Sequence, residues 1–501
     1  MLQEKWSHLK SGTDIRGVAV EGVENEHVNL TSDVCEAIVN AFAIWLSDKV
    51  GKDYTELTVS VGRDSRISGP AISKVVTETL SKSGVTVLDC GLSSTPSMFM
   101  TTIDLNCDGA VQITASHHPF NRNGLKFFTR DGGLESEDIT ALLELAQNGR
   151  IPETITDSGE IKSVDYMTDY SARLRDIIKK EVNAEDYDLP LKGFKIVVDA
   201  GNGAGGFYAE KVLAPLGADT NGSRYLNPDG MFPNHVPNPE NAEAMKSICE
   251  AVLENKADLG VIFDTDVDRG GAVDSSGNEI NRNRLVAVAS AIALEGNDGG
   301  TIVTDSITSD GLKEFIENTL GGRHHRFKRG YKNVINEAIR LNSEGINCPL
   351  AIETSGHAAM RENYFLDDGA YLCTKIIIKM AKLKQEGKTL EEYVSQLKEA
   401  KEEKEVRYKI TEHDFRTYGE SVIDKLNEYA LTKDGWKLAD DSREGVRVSL
   451  DKQHGNGWFL LRLSVHDPIM PLNIESNDVG GVAVILEQVE EFIKTCEGLT
   501  L

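Results

Sequence analysis

The chain has no long apolar run, no closely paired cysteines and a shortage of basic residues, and each of these excludes a class of protein. Its seven cysteines are scattered over 501 residues without a Cys-x-x-Cys pair, which argues against a disulfide framework and against a zinc knuckle. Nowhere do 18 apolar residues follow one another, and the N-terminus has no basic stretch that leads into an apolar one. We therefore expect a cytoplasmic protein without a membrane partner.

Basic residues are outnumbered, with 54 Lys and Arg against 80 Asp and Glu, and the formal net charge is −26. Such a surface repels nucleic acids and anionic membranes at long range, so neither is expected as a partner. A small anionic substrate is compatible with this charge, because a few arginines or a metal ion can reverse the local potential inside a cleft.

The most regular feature of the chain is a short apolar, β-branched run followed by a loop of Gly, Ser, Asp or His. The predicted strands are Leu57–Gly62, Ala110–Thr114, Phe194–Val198, Leu259–Phe263 and Leu350–Ile352. Between such strands lie amphipathic segments such as Thr31–Val50, which predict helices. Alternating strands and helices indicate an α/β fold, in which ligands gather at the carboxyl ends of the strands. We expect the polar loops to face one shared cleft.

A length of 501 residues exceeds what one hydrophobic core usually supports, so several domains are expected. Polar or charged stretches at Asn183–Leu191, Gly296–Gly300 and Lys398–Lys404 mark the boundaries, and a helix is predicted over Val482–Thr495. We predict three related α/β domains with mixed sheets, at residues 1–188, 189–297 and 298–405, and a C-terminal α+β domain at 406–501, arranged around a central cleft.

The first loop with candidate chemistry contains Ser116, just past a predicted strand. It stands beside His117 and His118 and ten residues before Lys126. An ordinary polar turn ended by Pro119 would account for the same residues. A serine hydrolase is not indicated, because the chain has no Gly-x-Ser-x-Gly elbow here. The serine alone leaves these alternatives open.

A second loop, Asp264-Thr-Asp266-Val-Asp268-Arg269, places three carboxylates at alternate positions directly after an apolar strand. Carboxylate oxygens with open positions for water or phosphate suit Mg²⁺. A calcium EF-hand is excluded, because it needs Gly at the sixth and Glu at the twelfth position, where this chain has Arg269 and Ser275. Solvated surface acids are the alternative, although a loop that follows a fully apolar strand is a poor place for them.

A third loop, Glu353-Thr-Ser-Gly-His357, combines a carboxylate, a hydroxyl and an imidazole that are suited to holding sugar hydroxyls. Phosphate contacts require cations, and arginine matches phosphate in bidentate geometry. Candidate cations are Arg16, Arg63, Arg66, Lys328, Arg329 and Lys332. Taken singly, each fits an ordinary surface cation equally well.

Together and in this order, Thr114-Ala-Ser-His-His-Pro, Asp264-x-Asp-x-Asp-Arg269 and Glu353-x-Ser-Gly-His357 resemble the α-D-phosphohexomutase family, especially its phosphomannomutase/phosphoglucomutase branch. The resemblance continues through Asp14-Ile-Arg16-Gly, Gly62-Arg-Asp-Ser-Arg66, Asp199-Ala-Gly-Asn-Gly203 and Gly330-Tyr-Lys332. It implies a magnesium-dependent isomerase, an intramolecular phosphotransferase that interconverts hexose 1-phosphate and hexose 6-phosphate, with mannose and glucose as the first candidate sugars. Such an enzyme would be a monomer or a homodimer with small hexose phosphates as its partners.

The resemblance also implies roles for individual residues. Ser116 is then the phosphorylated residue, and its phosphate completes the shell of one Mg²⁺ per chain with Asp264, Asp266 and Asp268. Lys126, His357 and Arg269 are the further catalytic candidates, with Lys126 as acid or base. The substrate-binding candidates are Arg16, His117, Lys332, Glu353, Ser355, Arg462, Ser464 and His466. A hexose 1,6-bisphosphate is the implied intermediate and activator, because the phosphoryl group passes from serine to sugar and back.

The family's C-terminal phosphate loop is altered in this chain. Arg462, Ser464 and Pro468 match the pattern, whereas Val465, His466, Asp467 and Pro471 depart from it. We hypothesise that His466, together with Arg443 or Arg447, replaces the lost donors. Thr354 in the sugar loop does not match the variants associated with a hexosamine preference, so mannose and glucose phosphates come first. Amino-sugar phosphates stay open.

Two other functions remain as alternatives. Phe263-Asp264-Thr-Asp266 also resembles the nucleophile loop of haloacid-dehalogenase-type phosphatases, with Asp367 and Asp368 as their late acidic pair. A sugar-phosphate-binding protein that has lost turnover is the non-enzymatic alternative. The phosphatase does not explain Ser116, and the binding protein does not explain why Ser116, Lys126 and all three aspartates are present.

Overall fold

The computed structural model describes residues 2–152, 158–464 and 467–501, and within these ranges the chain forms two compact units. Unit 1 comprises Met1–Asn281, Ser355–Ala358 and Leu366–Tyr393, and unit 2 comprises Arg282–Thr354, Ala359–Phe365 and Val394–Leu501. His466, one of the predicted substrate-binding residues, lies outside the described residues, as does Val465.

In the described part of the chain the β-strands are short and are numbered here in chain order. They are β1 Lys10–Ser11, β2 Asp14–Val18, β3 Thr58–Arg63, β4 Thr86–Leu92, β5 Gly109–Ile113, β6 Arg122–Thr129, β7 Gly132–Gly133, β8 Ile161–Ser163, β9 Ile196–Asp199, β10 Leu259–Phe263, β11 Gly270–Asp274, β12 Glu279–Ile280, β13 Thr301–Thr304, β14 Arg323–Arg326, β15 Leu350–Ile352, β16 Ala358–Met360, β17 Leu366–Asp367, β18 Glu402–Ile410, β19 Trp436–Leu438, β20 Val446–Leu450, β21 Gly457–Leu461, β22 Ile469–Ser476 and β23 Leu499–Thr500.

The α-helices of the same residues are numbered in the same way. They are α1 Glu4–Ser7, α2 Ser32–Val50, α3 Gly69–Lys82, α4 Thr95–Asp104, α5 Ser136–Gln147, α6 Tyr166–Val182, α7 Ala242–Asn255, α8 Arg282–Leu294, α9 Asp310–Glu314, α10 Tyr331–Ser343, α11 Gly369–Gln385, α12 Leu390–Tyr393, α13 Phe415–Ala430 and α14 Gly481–Ile493. None of the helices in the described residues has the length and apolarity needed to span a membrane.

The first sheet of unit 1 runs in the order β1-β2-β6-β5-β3-β4-β8, with β7 beside β6. It is mixed, because β3 pairs in parallel with β4 and β5 while β5 pairs antiparallel with β6. Ile38, Phe42 and Leu46 form an apolar stripe on α2 and share one core with Val59 and Val111 of the central strands. Both faces of β3 and β5 are buried, which explains why these strands are mostly apolar in the sequence.

The second sheet of unit 1 has the order β12-β11-β10-β9. It is also mixed, since β10 pairs in parallel with β9 and antiparallel with β11. All five residues of β10 are buried, and its outer face packs on α7 through Ile248 and Val252. The loop that follows β10 is therefore attached to a rigid, fully buried strand.

Unit 2 contains an α/β part and a C-terminal sheet. In the α/β part, β13 pairs in parallel with β14 and β15, and α10 packs on it through Val334 and Ala338. The C-terminal sheet has the order β19-β20-β21-β22-β18-β23 and is antiparallel. Its core is shared with α13 and α14. Three mixed α/β parts followed by an α+β part confirm the predicted fold class.

The predicted elements agree with the observed ones within about two residues. Helix α2 begins one residue later than predicted because Thr31 is its N-cap, with the side-chain oxygen accepting from the backbone N–H of Val34. It ends at Gly51, whose φ of +68° is the left-handed conformation of a helix C-terminus. The predicted C-terminal helix Val482–Thr495 corresponds to α14.

Candidate active site

Ser116 lies in the loop after β5 and is held against the loop after β10. Its φ of +49° is in the left-handed region, and its backbone N–H donates to Thr114 Oγ1 at 2.9 Å. The Ser116 hydroxyl donates to Asp264 Oδ2 at 3.1 Å and lies 3.3 Å from His117 Nδ1. A strained backbone of this kind persists only where surrounding contacts fix it, and such sites are often functional.

The contacts that fix the serine loop come from Arg66. This arginine has no exposed surface, and its guanidinium forms an ion pair with Asp64 at 3.3 Å. It also donates to four backbone carbonyl oxygens of the loop, those of Ser116, His118, Pro119 and Arg122. The prediction that Arg66 contacts phosphate is therefore wrong, because its side chain is fully buried and both terminal nitrogens donate to the chain itself.

The three aspartates after β10 converge, as the sequence predicts. Asp264, Asp266 and Asp268 are at most 1% exposed, and one ligand oxygen from each lies within 4.8 Å of the others. Val267 between them has a φ of +69°, an outlier for a β-branched residue. Burial, followed by the charges of Asp268 and Asp266, raises the pKa of Asp264 well above its usual range.

Two carboxylate oxygens of this group, Asp266 Oδ1 and Asp268 Oδ1, have no hydrogen-bond partner among the described residues. Buried carboxylates that repel each other and keep free oxygens are costly unless a cation neutralises them. Carboxylate oxygens are the ligands of hard divalent cations. The group therefore fits a metal ion.

Lys126 reaches the same group from β6. Its Nζ lies 2.5 Å from Asp268 Oδ2 and 3.6 Å from Asp266 Oδ2. Burial alone would raise the pKa of Asp268, but the charge of Lys126, followed by His357 and Arg269, outweighs it and lowers that pKa. The sequence separates Lys126 from Asp268 by 142 residues, and the fold brings them into contact.

Arg269, His357 and Asp367 form a chain of contacts beside the aspartates. Arg269 Nε donates to His357 Nε2 at 2.8 Å, and His357 Nδ1 lies 2.5 Å from Asp367 Oδ2. Burial alone would lower the pKa of His357, but the charge of Asp367 opposes this effect and the pKa is raised. The Arg269 backbone N–H also donates to Asp264 Oδ1 at 3.2 Å.

His117 and Arg16 lie on the serine side of the site. Burial, followed by the charge of Arg269, lowers the pKa of His117 to about 2. Burial and the charge of Arg16 likewise lower the pKa of His118 to about 3. Both imidazoles are thus neutral, and Arg16, which is paired with Asp14 at 2.8 Å, supplies positive charge near them.

The predicted sugar loop is divided between the two units. Ser355 and His357 are buried residues of unit 1, whereas Glu353 belongs to unit 2. Within unit 2, Glu353 Oε1 accepts from the backbone N–H of Gly330 at 2.5 Å. Lys332 follows two residues later, in the first turn of α10. Burial and then the Glu353 charge raise the pKa of Asp305 to about 7, so these two carboxyl groups are neighbours.

The altered C-terminal loop lies between β21 and β22. Arg462 follows β21, and Ser464 accepts from the Asp467 backbone N–H at 3.3 Å. The Nε of Arg462 is buried without a hydrogen-bond partner in the described part of the chain, and burial lowers the pKa of this arginine.

The hypothesis that Arg447 replaces a lost hydrogen-bond donor to phosphate in that loop is wrong. It is 2% exposed, and it donates to the carbonyl oxygen of Ser306 and to Asp310 Oδ1 at 3.1 and 3.0 Å. Arg443 is exposed, and its part of that hypothesis stays open.

Unit 1 thus contains all the predicted catalytic and metal-binding residues, together with the substrate candidates Arg16, His117 and Ser355, and unit 2 holds four further substrate candidates. The contacts in unit 1 involve Ser116, His117, Lys126, Asp264, Asp266, Asp268, Arg269 and His357. The four candidates in unit 2 are Lys332, Glu353, Arg462 and Ser464.

Sequence reasoning missed several residues of the site. Thr95 donates to Asp266 Oδ2, and no sequence signal marked it. Thr114 and Asp64, joined by a 2.8 Å hydrogen bond, stood inside recognised motifs but received no role. Asp367 was noted only as part of the acidic pair of a rival function. Its contact with His357 makes Asp367 part of the site described here.

Three family models match this chain in sequence order. They describe the α/β/α domains I, II and III of phosphoglucomutase/phosphomannomutase and cover residues 9–149, 169–277 and 281–400. The chain belongs to the phosphoglucomutase/phosphomannomutase family. Together the matches cover well over half of its residues, and they contain Ser116, the aspartates and the Glu353–His357 loop.

Relatives from this family are similar over most of their length. A phosphomannomutase/phosphoglucomutase of Pseudomonas syringae pv. tomato is 31% identical over 448 residues, 88% of this chain and 89% of the relative. A phosphoglucomutase/phosphomannomutase of Thermococcus kodakarensis is 30% identical over 459 residues, 91% of this chain and 93% of the relative. A solved family protein from Burkholderia thailandensis, at 26% identity, covers 99% of this chain and 98% of its own with a TM-score of 0.79.

Proposed function

We propose that the chain is a phosphohexomutase that interconverts the 1-phosphate and 6-phosphate of mannose, glucose or both through a phosphoserine at Ser116. The observation that carries the proposal is the position of the Ser116 hydroxyl, 3.1 Å from Asp264 Oδ2 and beside two further buried aspartates. The names of its relatives, phosphomannomutase/phosphoglucomutase, support the same reaction.

We infer that the bound cation is Mg²⁺ and that Asp264, Asp266, Asp268 and phosphorylated Ser116 hold it. An all-oxygen donor set suits this hard ion, which typically binds a few carboxylates together with a phosphate. When bound, Mg²⁺ neutralises negative charge on the phosphoryl oxygens during transfer. The unpartnered oxygens of Asp266 and Asp268 support this inference.

In the proposed reaction the bond between phosphorus and Ser116 Oγ breaks as a bond to a sugar hydroxyl oxygen forms. With a cation bound to Asp268 and Asp266, whose oxygens lie 2.5 and 3.6 Å from Nζ, Lys126 is assigned as the neutral amine that accepts the proton of that hydroxyl. Arg269 adds positive charge near His117, the neighbour of Ser116. The resulting hexose 1,6-bisphosphate then turns over and returns its other phosphate to Ser116, so no phosphate is consumed.

The non-reacting end of the substrate requires an anion site and hydroxyl contacts. We propose Arg16, His117, Lys332, Glu353, Ser355, Arg462, Ser464 and His466 for these contacts. Arg462 supports a phosphate site there, because it retains the family's position in this loop and its guanidinium can bind phosphate in bidentate geometry. The domain boundaries, the cytoplasmic location and the monomeric or homodimeric state stay predictions.

The proposal is tested by ³¹P NMR of the purified protein with Mg²⁺, a trace of hexose 1,6-bisphosphate and either α-mannose 1-phosphate or α-glucose 1-phosphate. We expect the 1-phosphate signal to be replaced by a 6-phosphate signal. Ser116→Ala should abolish the conversion, whereas Ser275→Ala, an exposed serine in the turn after β11, should leave it unchanged.

Other outcomes of this experiment identify the rival functions. Growth of inorganic phosphate would indicate the aspartyl phosphatase, and hydroxylamine would then cleave the acyl phosphate while a phosphoserine would survive it. Unchanged spectra with both sugars, followed by conversion of glucosamine 1-phosphate, would keep the mutase and correct its substrate. Binding of all three sugars without conversion would indicate the non-catalytic protein.

A further inference from the structure

Asp367 occupies a buried position behind His357, on the side opposite Arg269. The side chains of Asp367 and His357 are 9% and 7% exposed, and the Nδ1–Oδ2 distance between them is 2.5 Å. The second oxygen of Asp367, Oδ1, accepts from the backbone N–H of Ala358 at 3.1 Å. Both carboxylate oxygens thus have defined donors, and the carboxylate has one orientation.

We interpret the short contact between His357 and Asp367 as a hydrogen bond rather than as half of a second metal site. Asp268, His357 and Asp367 could in principle share an ion, because their ligand atoms lie within 4.8 Å of one another. Ligands about 2.1 Å from one metal ion lie roughly 3 Å or more apart in tetrahedral or octahedral geometry. At 2.5 Å, Nδ1 and Oδ2 are closer together than two ligands of one ion and lie within hydrogen-bonding reach of each other.

The donor on the other ring nitrogen fixes where the proton of His357 resides. Arg269 Nε always carries a hydrogen, and it donates to His357 Nε2 at 2.8 Å. His357 Nε2 must therefore be an unprotonated acceptor, and Nδ1 must carry the hydrogen that points at Asp367. This arrangement leaves Nε2 no proton to donate.

We propose that Asp367 is a positioning residue that holds His357 as the Nδ1–H tautomer, so that His357 in turn orients the guanidinium of Arg269. The inference rests on the proposed mutase, because the oriented arginine serves phosphoryl transfer at Ser116. The chain Asp367–His357–Arg269 assigns His357 a role through Arg269 and not as a proton donor to the sugar.

Asp367→Asn tests the proposal because the amide has nearly the same shape as the carboxylate but replaces one acceptor oxygen with an NH₂ donor. Ala358 N–H requires an acceptor, so the amide oxygen is retained there and the NH₂ group faces His357 Nδ1. The imidazole must then protonate at Nε2, where the new hydrogen collides with Arg269 Nε–H. The matched control is Asp368→Asn, since Asp368 is the neighbouring buried aspartate but caps α11 and accepts from the Tyr170 hydroxyl.

The first readout is ¹⁵N NMR of histidine-labelled protein, with the His357 signals assigned by their loss in His357→Gln. We expect a protonated Nδ1 and an unprotonated Nε2 in the wild type and in Asp368→Asn, and the reverse in Asp367→Asn. A protonated Nε2 in the wild type would overturn the proposal without any variant having to fold. This readout does not depend on turnover.

The second readout is the division of the effect between kcat and KM. We expect Asp367→Asn to lower kcat on the order of 10²-fold with little change in KM, because one charge-stabilising group is misplaced. A fall in kcat with the wild-type tautomer retained would count against positioning through His357. If the tautomer reverses as expected but the wild type converts no hexose phosphate, the positioning relation stands and the proposed function alone fails.

Discussion

The guanidinium of Arg66 donates to the backbone carbonyl oxygen of Ser116 from a fully buried position. It also binds the carbonyl oxygens of His118 and Pro119 at 2.6 and 2.7 Å. The planar fork of an arginine can satisfy several carbonyl oxygens at once, which an ammonium group cannot reproduce with the same geometry. Arg66 therefore shapes the serine loop while its own charge is balanced by Asp64.

From this relationship we predict that Arg66→Lys destabilises the serine loop. The variant should lose about 3 kcal/mol of unfolding free energy, because several buried carbonyl oxygens lose their donor and Asp64 keeps a weaker partner. Urea denaturation followed by fluorescence measures the loss. Arg63→Lys is the matched control, because Arg63 is only half-buried and its guanidinium donates a long hydrogen bond of 3.4 Å to the Asp64 carbonyl. An equal loss in both variants would contradict the special role of Arg66.

Metal addition is expected to stabilise the protein through the aspartate group. When free Mg²⁺ exceeds its dissociation constant about 100-fold, the unfolding free energy should rise by about 3 kcal/mol. Asp264→Asn should lose this increase and should not weaken the metal-free protein. The neutral amide avoids both the cost of burying a charge and the repulsion by Asp268 and Asp266, which together raise the Asp264 pKa. Thermal unfolding with Mg²⁺ and with EDTA measures both effects.

The control for the metal prediction is Asp274→Asn. Asp274 is also buried and ends β11, but its carboxylate accepts from the N–H groups of Ser276 and Asn278 in the adjoining turn. This variant should lose stability with and without metal and should keep the Mg²⁺-dependent increase. A metal response that survives Asp264→Asn would place the ion elsewhere.

The stability of unit 2 is expected to depend on pH through Glu475. Burial raises the pKa of this residue from 4.5 to about 7, although Arg447 and the hydrogen bond from Trp458 act in the other direction. The charges of Glu403 and Asp310 add to the increase. The folded protein therefore binds this proton more tightly than the unfolded chain does.

The sign of the pH effect follows from this difference. Stability from protonated Glu475 is fully present below pH 4.5 and is lost as the pH rises to about 7, by about 3 kcal/mol. Glu475→Gln resembles the protonated acid and should remove this decline, so the variant should be more stable than the wild type at pH 8. Urea denaturation from pH 4.5 to 8 measures this decline, with Glu420→Gln, at an exposed position on α13, as the control. Parallel profiles for wild type and Glu475→Gln would refute the prediction.

Gly369 is expected to be irreplaceable because the start of α11 passes close to Arg269. A Cβ at this position would lie 2.4 Å from the Arg269 carbonyl carbon, so Gly369→Ala must displace the arginine backbone. We expect a loss of about 2 kcal/mol in unfolding free energy and at least about a tenfold lower kcat. Gly387→Ala is the control, since its φ of +73° adds backbone strain while no described atom lies within 4 Å of the added Cβ. It should lose about 1 kcal/mol and keep its kcat.

Local sequence patterns predicted the elements of this fold and the loops that carry the chemistry. The β10 strand and the aspartates after it were readable because a fully apolar run that ends in alternating carboxylates is typical of a buried strand leading into an oxygen-ligand site. The pairing of Lys126 with Asp268 was not readable, since it joins residues 142 positions apart through two different sheets. The role of Asp367 was not readable either, since it depends on the contact of its Oδ2 with His357 Nδ1 at 2.5 Å.

The sequence by itself determined the α/β alternation, the strand ends at which polar loops stand, and the residue types of a phosphoryl-transfer site. These depend on periodicity and on side-chain chemistry, which are local properties. Only the tertiary structure decided that the guanidinium groups of Arg66 and Arg447 bind groups of the protein itself and not a phosphate. Whether a buried arginine faces backbone carbonyls or an open site depends on packing between distant segments, and no local pattern encodes that choice.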